Sequence, residues 1–272
     1  MKAEIISIGT ELLLGEITDT NASYLASQLP LLGIDLLWVT QVGDNMDRLR
    51  ECIERAWQRS DLIIATGGLG PTEDDLTREA IATVLGEELY VEPALERTLR
   101  EFFARRNFPM PENNIKQATL IPSARAIPNH RGSAPGWWIE AQDTPSLEAG
   151  EAPAEGRRKR GALPRKGREF EGVPQIYKKP HIIITMPGPP AEMQRMWLDE
   201  VFPKLKEAVG GGVIVSRTIK TLTMTESGVA ETLRSIIDSA NPSLAVYAKT
   251  DGIHVRLTAK AKSDNEATAM IS

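Results

Sequence analysis

The sequence is poor in the residues that form disulfide frameworks and histidine-based metal centres. Cys52 is the only cysteine among 272 residues, which excludes an intrachain disulfide and a cysteine-ligated zinc site. His130, His181 and His254 follow no metal-ligand spacing and form no recognisable serine–histidine–aspartate arrangement. We therefore interpret all three histidines as structural and expect a reducing compartment.

Positive charge is also scarce. The formal net charge is −5, whereas a protein that coats nucleic acid needs a surplus of lysine and arginine on one face to neutralise phosphates. The basic run at 157–160, RRKR, has acidic residues on either side, which favours a surface loop over a nucleic-acid site. We therefore expect no nucleic-acid partner.

Long hydrophobic runs are missing as well. No stretch reaches the roughly 18 apolar residues that cross a bilayer. Near the N-terminus, Glu4, Glu11 and Glu16 interrupt the apolar stretch, and no small-residue cleavage site follows. The sequence thus predicts a cytoplasmic protein without a membrane partner.

What the sequence has is an alternation of short apolar runs and helical patterns. The predicted strands in its first part are Glu4–Ile8, Asp35–Val42 and Leu62–Ala65. Helical spacing of apolar residues follows each of them, over 21–29, 46–57 and 76–85. Strands that alternate with helices predict an α/β fold of three layers, with a mostly parallel sheet and helices on both faces.

The pattern changes further along the chain. After a predicted helix at 94–103 and strands at 118–121 and 137–140, residues 141–179 are rich in Pro, Gly and charge and predict a flexible insertion. A strand at 181–185 and a helix at 191–201 complete a first domain, residues 1–205.

Residues 206–272 predict a small α+β module. The pattern indicates a strand at 213–223, a helix at 227–239, and strands at 244–249 and 254–261 that Asp251-Gly252 joins in a hairpin. The residues at 263–271 begin a helix that has no room to finish. We therefore expect either a natural short form or a truncated chain.

The strongest candidate for a binding site is the loop after the third predicted strand. Gly67, Gly68 and Gly70 can take positive φ values and let an oxygen-rich ligand approach the backbone N–H groups, which run as far as Thr72. The N-terminus of the helix predicted from residue 76 also favours an anion. The loop has neither a Walker A lysine nor GxGxxG spacing. By itself it predicts only a site for an anion.

Acidic residues follow the glycine loop directly. Carboxylates beside a phosphate site repel it unless a cation such as Mg²⁺ lies between them, so Glu73, Asp74 and Asp75 favour a metal-bridged ligand. The alternative is that Asp74 or Asp75 caps the next helix. Both roles stay open, since one of the two aspartates can cap the helix while the other binds a metal.

Other loops are expected at the same edge of the sheet, because the carboxyl ends of parallel strands meet there. Two follow the first and second strands, and two more are rich in small residues. Their candidate ligand-binding residues are Thr10, Glu11, Asn21, Asp44, Gly132, Ser133, Ala134, Pro187 and Gly188. Trp137 and Trp138 lie on opposite faces of a strand, so one is expected in the core and the other is a weaker candidate for stacking on a base.

Five motifs, taken in order, resemble the CinA family of competence/damage-inducible proteins. They are IGTELLLGEITDTNASYLA, VGDN, ATGGLGPTEDDLTREA, GSAPGWWIE and MPGPPAEM. The first part also resembles the MoaB/MogA molybdopterin-binding fold, and the stretch 213–261 resembles the KH-like module that follows it in CinA. The resemblance covers nearly the whole chain and departs at 141–179, where the insertion between two site loops is longer than expected.

The resemblance implies a divalent-metal-dependent ADP-ribose pyrophosphatase that forms AMP and ribose 5-phosphate, in pyridine-nucleotide recycling. By motif position, Asp44 and Asp75 match the acidic residues of the MoaB/MogA active site and would hold a cation of the Mg²⁺ or Co²⁺ type, with Glu11 as a third catalytic candidate. The resemblance also implies a homodimer. Many CinA proteins carry a further deamidase domain, which is not assigned here because the sequence ends before it.

Two other functions stay open. One is molybdopterin binding or adenylyl transfer in molybdenum-cofactor metabolism, since a shared fold does not fix function. The other is a regulatory nucleotide-binding module without catalysis. RNA binding by the KH-like module is disfavoured, because no GxxG occurs between its helix and strand signals.

Overall fold

The computed structural model describes residues 1–141, 181–210, 212–222 and 224–272. The insertion predicted at 141–179 therefore lies outside the described residues, apart from Ala141. The strands are β1 Lys2–Ile8, β2 Asp35–Val42, β3 Leu62–Thr66, β4 Tyr90–Val91, β5 Thr119–Leu120, β6 Ala124–Ile127, β7 Gly136–Ala141, β8 His181–Met186, β9 Val213–Thr221, β10 Ser243–Lys249 and β11 Gly252–Ala261. The helices are α1 Thr10–Leu13, α2 Thr20–Gln28, α3 Met46–Arg59, α4 Thr77–Leu85, α5 Pro93–Ala104, α6 Pro190–Met196, α7 Phe202–Val209, α8 Glu226–Thr232 and α9 Asp264–Met270.

A six-stranded sheet forms the centre of the larger part, in the order β2-β1-β3-β8-β7-β6. Strands β2, β1, β3 and β8 are parallel, whereas β7 and β6 are antiparallel to their neighbours. The prediction of a mostly parallel sheet is confirmed. Its antiparallel edge was not predicted, because β6 has only four residues and no clear alternation.

Apolar side chains cover both faces of this sheet. On one face, Ile5 and Ile64 pack with Leu25 of α2 and Trp197, which follows α6. The opposite face packs against α3 and α4, and its core includes Ile63, Leu49, Ile53 and Ile81. The burial of continuous apolar runs on two sides explains why β1, β3 and β8 do not alternate in the sequence, and it confirms the three-layer α/β class.

Strands β7 and β8 pair in opposite directions, and their register places Ala141 opposite His181 and Trp137 opposite Thr185. The Ala141–His181 end lies at the edge where the parallel strands begin. The other end, near Gly136 and Met186, lies where the parallel strands finish. The chain that connects Ala141 to His181 therefore leaves the sheet at the edge where β1 and β3 begin.

Helix boundaries differ from the sequence prediction in two places. The predicted helix 191–201 starts at Pro190, passes through a π-helical turn at Trp197–Val201 and continues as α7. The turn precedes Pro203, which cannot donate a backbone hydrogen bond in a regular helix. Helix α8 ends at Thr232 rather than at Ser239, because the following residues form isolated turns such as Ser239 N–H to Ile236 O.

The second part of the chain is an antiparallel sheet in the order β10-β11-β9, against which α9 packs through Ala267 and Ile271. The hairpin predicted at Asp251-Gly252 is present between β10 and β11. Lys260 forms an ion pair with Asp35 of β2 and so links the two sheets. Within the described ranges, no helix is long and apolar enough to cross a membrane.

Candidate functional site

A cavity of about 350 Å³ lies at the edge of the six-stranded sheet where the parallel strands end. The loops after β1, β2, β3 and β8 reach it, and so does the loop before β7, because β7 runs in the opposite direction. The predicted site residues that line this cavity are Glu11, Asp44, Gly67, Gly68, Gly70, Asp74, Asp75, Ser133, Ala134, Pro187 and Gly188. Gly9, Leu69 and Pro189, which belong to the predicted loops, also line it. Sequence reasoning did not place Ile8, Gln117 and Glu192 at the site, and these complete the wall.

Four predicted site residues, Thr10, Asn21, Thr72 and Gly132, do not line this cavity but contact residues that do. Thr10 and Thr72 hydrogen-bond to two of the wall aspartates. Asn21 donates its Nδ2–H to the Gly188 carbonyl at 2.6 Å, and so supports the loop after β8. Gly132 lies so close to Glu192 that a Cβ on it would clash with the carboxylate.

The glycine loop has the backbone geometry that the sequence predicts. Gly67 and Gly68 have φ values of 99° and 63°, a region that side chains disfavour. A Cβ on Gly67 would come closer than 3.0 Å to the Ile8 carbonyl oxygen. In the part of the chain that the structure describes, the N–H groups of Gly68, Leu69 and Gly70 donate to no protein acceptor. They are therefore available to an anion.

Two aspartates face the cavity in matching ways. Asp44 Oδ2 accepts hydrogen bonds from the Thr10 N–H at 2.8 Å and from the Thr10 hydroxyl at 2.7 Å. Asp75 Oδ2 accepts from the Thr72 N–H at 2.9 Å and from the Thr72 hydroxyl. Among the described residues, neither Oδ1 atom accepts a hydrogen bond. Each aspartate thus has one oxygen fixed to the protein and one available to a ligand.

The alternative that Asp74 or Asp75 caps the next helix is wrong. Helix α4 begins at Thr77, and its N-cap residue, Leu76, makes no side-chain capping bond. The Asp75 carboxylate is instead turned back to Thr72, while the Thr77 hydroxyl donates to the Gly67 carbonyl at 2.8 Å. These hydrogen bonds stabilise the glycine loop, and the carboxylates of Asp74 and Asp75 remain at the cavity wall.

The electrostatic character of the wall is strongly acidic. Its charged residues are Glu11, Asp44, Asp74, Asp75 and Glu192, and the described wall contains no lysine or arginine. The described residues hold no cluster of three or more metal-ligating side chains. The acids are thus distributed around the cavity, and at any one point of the described wall no more than two of them lie together as ligands for a cation.

Glu192 belongs to a hydrogen-bond network that was not foreseen. Asn129 donates its Nδ2–H to Glu192 at 2.7 Å and to the Ala134 carbonyl at 2.9 Å, and its Oδ1 accepts from the backbone of Arg131 and Gly132. One asparagine thereby fixes the turn before β7 and attaches it to α6. No sequence motif reveals this, because residues 129 and 192 are far apart along the chain.

Arg78 is a second residue that sequence reasoning missed. It is fully buried behind the glycine loop, where it donates from Nη1 to the Leu69 carbonyl at 2.8 Å and from Nη2 to the Pro135 carbonyl at 3.1 Å. Burial lowers its pKa to about 10, against the opposing effect of Glu79 and Asp75, so the guanidinium stays charged at neutral pH. The Arg78 side chain therefore connects two loops of the cavity wall.

We predict that Arg78→Lys lowers the free energy of unfolding by about 1–2 kcal/mol, because one ammonium cannot reproduce the forked bonds to both carbonyls. The measurement is urea unfolding followed by circular dichroism. Arg131→Lys is the control, since Arg131 is exposed in one of the two connected loops. Equal stability of the Arg78 variant and the wild type would contradict this role.

Trp137, Trp138, His181 and His254 take structural positions, whereas His130 is exposed. Trp137 is fully buried and Trp138 is 7% exposed, with its Nε1–H donated to Glu140. The weaker candidate role for one of them, stacking on a base, is therefore wrong, because the two side chains are buried in the cores on the two faces of the sheet. His181 Nδ1 lies 2.9 Å from the Ser60 carbonyl, and His254 Nε2 lies 2.9 Å from Asp251.

Comparison with known families assigns the two parts of the chain. Residues 4–207 match the family described as "Probable molybdopterin binding domain", and residues 216–272 match the "Damage-inducible protein CinA KH domain". The larger part thus places the chain in the class of molybdopterin-binding-type domains. The chain belongs to the CinA-like proteins, in which this domain precedes a CinA KH domain.

Individual relatives agree with this assignment. A "CinA-like protein" of Thermomicrobium roseum is 44% identical over 271 residues, and one of Deinococcus radiodurans is 43% identical over 270. These matches cover 100% and 99% of the chain but 58% of each relative, so the chain spans little more than half of their length. A crystal structure of the protein CinA, of unknown function, from Thermoplasma acidophilum is 25% identical, with a TM-score of 0.56. The match covers 75% of the present chain and 99% of the Thermoplasma chain.

Proposed function

We propose that the cavity binds a divalent cation with the diphosphate of ADP-ribose, or of a related nucleoside diphosphate sugar, and hydrolyses it to AMP and ribose 5-phosphate. The observation that carries the proposal is the pair of aspartates, Asp44 and Asp75: each has one oxygen held by a threonine and one that accepts from no donor in the part of the chain that the structure describes. The available N–H groups of the glycine loop lie on the same cavity wall. The choice of ADP-ribose rests on the resemblance to the CinA family.

The chain's own groups account for the remaining requirements of the reaction. N–H groups from Gly68 to Gly70 bind phosphate oxygens and fix the diphosphate in one orientation. Water attacks one phosphorus and forms a new P–O bond, the bridging P–O bond breaks, and the leaving phosphate keeps the electron pair. Glu11 accepts the proton that the water loses and passes it to solvent. Asp44 and Asp75 would hold a cation, which would neutralise the charge of the phosphates.

Metal removal tests this function directly. We expect the protein to release AMP from ADP-ribose with Mg²⁺ or Co²⁺ and to lose this activity when EDTA is added, because an acidic wall repels an unneutralised diphosphate. AMP is measured by chromatography of timed samples, and restoring the metal in excess is the control for reversible loss. Release of AMP that persists in EDTA would contradict the metal role.

A second candidate function is molybdopterin binding or adenylyl transfer in molybdenum-cofactor metabolism. The observation that favours it is the match of residues 4–207 to a family described as probable molybdopterin binding domains. Saturable molybdopterin binding without ADP-ribose binding would select this function. Binding of ADP-ribose without turnover under any metal would select the third alternative, a non-catalytic nucleotide-binding module.

A further inference from the structure

Lys116 is a basic side chain that lies next to the acidic cavity without lining it. It belongs to the 3₁₀ segment Glu112–Ala118, and its neighbour in that segment, Gln117, is part of the cavity wall. The Lys116 Nζ donates to the Thr72 carbonyl at 3.1 Å and also lies 3.1 Å from Glu79 Oε1. This ammonium therefore connects an acid of helix α4 to the backbone of the glycine loop.

The ion pair with Glu79 holds the Lys116 ammonium in place. The side chain of Lys116 is 21% exposed and that of Glu79 is 29% exposed, so the pair is partly shielded from water and salt. The other carboxylate oxygen, Glu79 Oε2, is buried and has no hydrogen-bond partner among the described residues. Glu79 thus depends on Lys116 for neutralisation, and the pair keeps the ammonium at the Thr72 carbonyl.

Thr72 connects Lys116 to one of the two aspartates that face the cavity. Its carbonyl accepts from Lys116, whereas its N–H and its hydroxyl both donate to Asp75 Oδ2. These two donated hydrogen bonds restrict the rotation of the Asp75 carboxylate. A shift of Thr72 would therefore turn the carboxylate and move its Oδ1 atom away from its place at the cavity. Partners that orient a metal ligand in this way typically contribute about 10–100-fold to metal affinity or activity.

We infer that Lys116 is a positioning residue for the cation: it holds Thr72, and through Thr72 it sets the orientation of the Asp75 carboxylate. The inference rests on the proposed function for the cation alone and is independent of ADP-ribose as the substrate. It makes the affinity for the cation depend on a residue outside the cavity wall. It also assigns a role to a positive charge that stands beside a cation site.

The charge of Lys116 and its hydrogen bond to Thr72 predict opposite effects on cation binding. Lys116→Met removes a positive charge, and if the charge alone mattered, a cation would bind more tightly, because like charges repel. If Lys116 acts by holding Thr72, the same variant binds the cation more weakly, because Asp75 loses its fixed orientation. The direction of the change in affinity therefore distinguishes the two roles.

The test is a calorimetric titration of the whole chain with Co²⁺ alone, without a nucleotide. The variants are Lys116→Met and Thr72→Val, which removes the hydroxyl bond to Asp75. Thr72 is exposed, so its variant keeps the test decisive even if Lys116→Met fails to fold. Glu79→Gln is the matched control, because it removes the same ion pair and leaves Lys116 able to donate to Thr72. Urea unfolding establishes that each variant is folded.

We expect Lys116→Met to weaken Co²⁺ binding about tenfold or more and Thr72→Val about fivefold or more, whereas Glu79→Gln stays within about twofold of the wild type. Unchanged or tighter binding by Lys116→Met overturns the inference, and so does unchanged binding by Thr72→Val. An equal loss in Glu79→Gln also overturns it, because the effect would then come from the ion pair and not from the bond to Thr72.

The wild type separates this inference from the proposed function. If the wild type binds Co²⁺ and the variants show the expected pattern, but no AMP is released from ADP-ribose, the positioning role of Lys116 stands and the hydrolase falls. If the wild type binds no Co²⁺, the positioning role and the proposed cation site are both overturned.

Discussion

Asp75→Asn is expected to reduce the rate of AMP release from ADP-ribose about 100-fold or more, with little change in folding. The asparagine oxygen can still accept the hydrogen bonds from Thr72, so the glycine loop keeps its shape. The variant loses the negative charge beside the cation and the phosphates. Removal of one such electrostatic contribution lowers the rate by a factor of about 10²–10³. The measurement is kcat at saturating metal.

The neighbouring acid supplies the control for this variant. Glu73 is exposed, two residues away, and does not line the cavity. Glu73→Gln removes the same charge from the same loop and is expected to change the rate less than about threefold, since exposed charges are screened by salt. If both variants lost activity equally, the effect would come from the total negative charge of the loop and not from direct binding of the cation by Asp75.

Gly67→Ala is expected to lower the free energy of unfolding by about 3 kcal/mol or more. Two costs add at this position. The backbone has φ 99°, which a residue with a side chain adopts at a cost of about 1–3 kcal/mol. The new methyl group would also clash with the Ile8 carbonyl oxygen, which is backbone at the end of a central strand and cannot move aside. Urea unfolding monitored by tryptophan fluorescence measures the loss.

Gly86 separates these two costs. It also has a positive φ, 67°, at the end of α4, but a Cβ added there would meet nothing within 4 Å. Gly86→Ala therefore reports the backbone cost alone, about 1 kcal/mol. A Gly67 variant as stable as the Gly86 variant would show that the Ile8 carbonyl does not constrain the loop.

The central fold could be predicted because its signals are local. The apolar runs that became β1, β3 and β8 are buried on both faces, the run that became β2 forms a partly exposed edge strand, and helical periodicity follows each of the four. The edge strands β4 and β6 have two and four residues, and their pairing depends on partners elsewhere in the chain. Such short segments carry too little pattern to distinguish them from loops.

The site residues, too, could be predicted where their signals are local in the sequence and not elsewhere. Glycines and acids that directly follow strands were identified, because a parallel sheet gathers the carboxyl ends of its strands at one edge. Arg78 and Asn129 were missed, although each holds two parts of the cavity wall together. Their importance comes from acceptors in other loops. From the sequence alone, Arg78 on its predicted helix cannot be distinguished from an exposed arginine, because its burial depends on loops that pack over it in the folded protein.

The pairing of β7 with β8 has a consequence for the cavity wall. The register sets Ala141 opposite His181 at one end of the two strands, and the cavity lies at the other end, next to Gly136 and Met186. Because successive side chains of a strand point to opposite faces, a slip of one residue in this register would turn every side chain of β7 to the other face of the sheet. The same slip would displace Ser133 and Ala134 from the cavity wall, so the pairing of these two strands fixes the position of that loop.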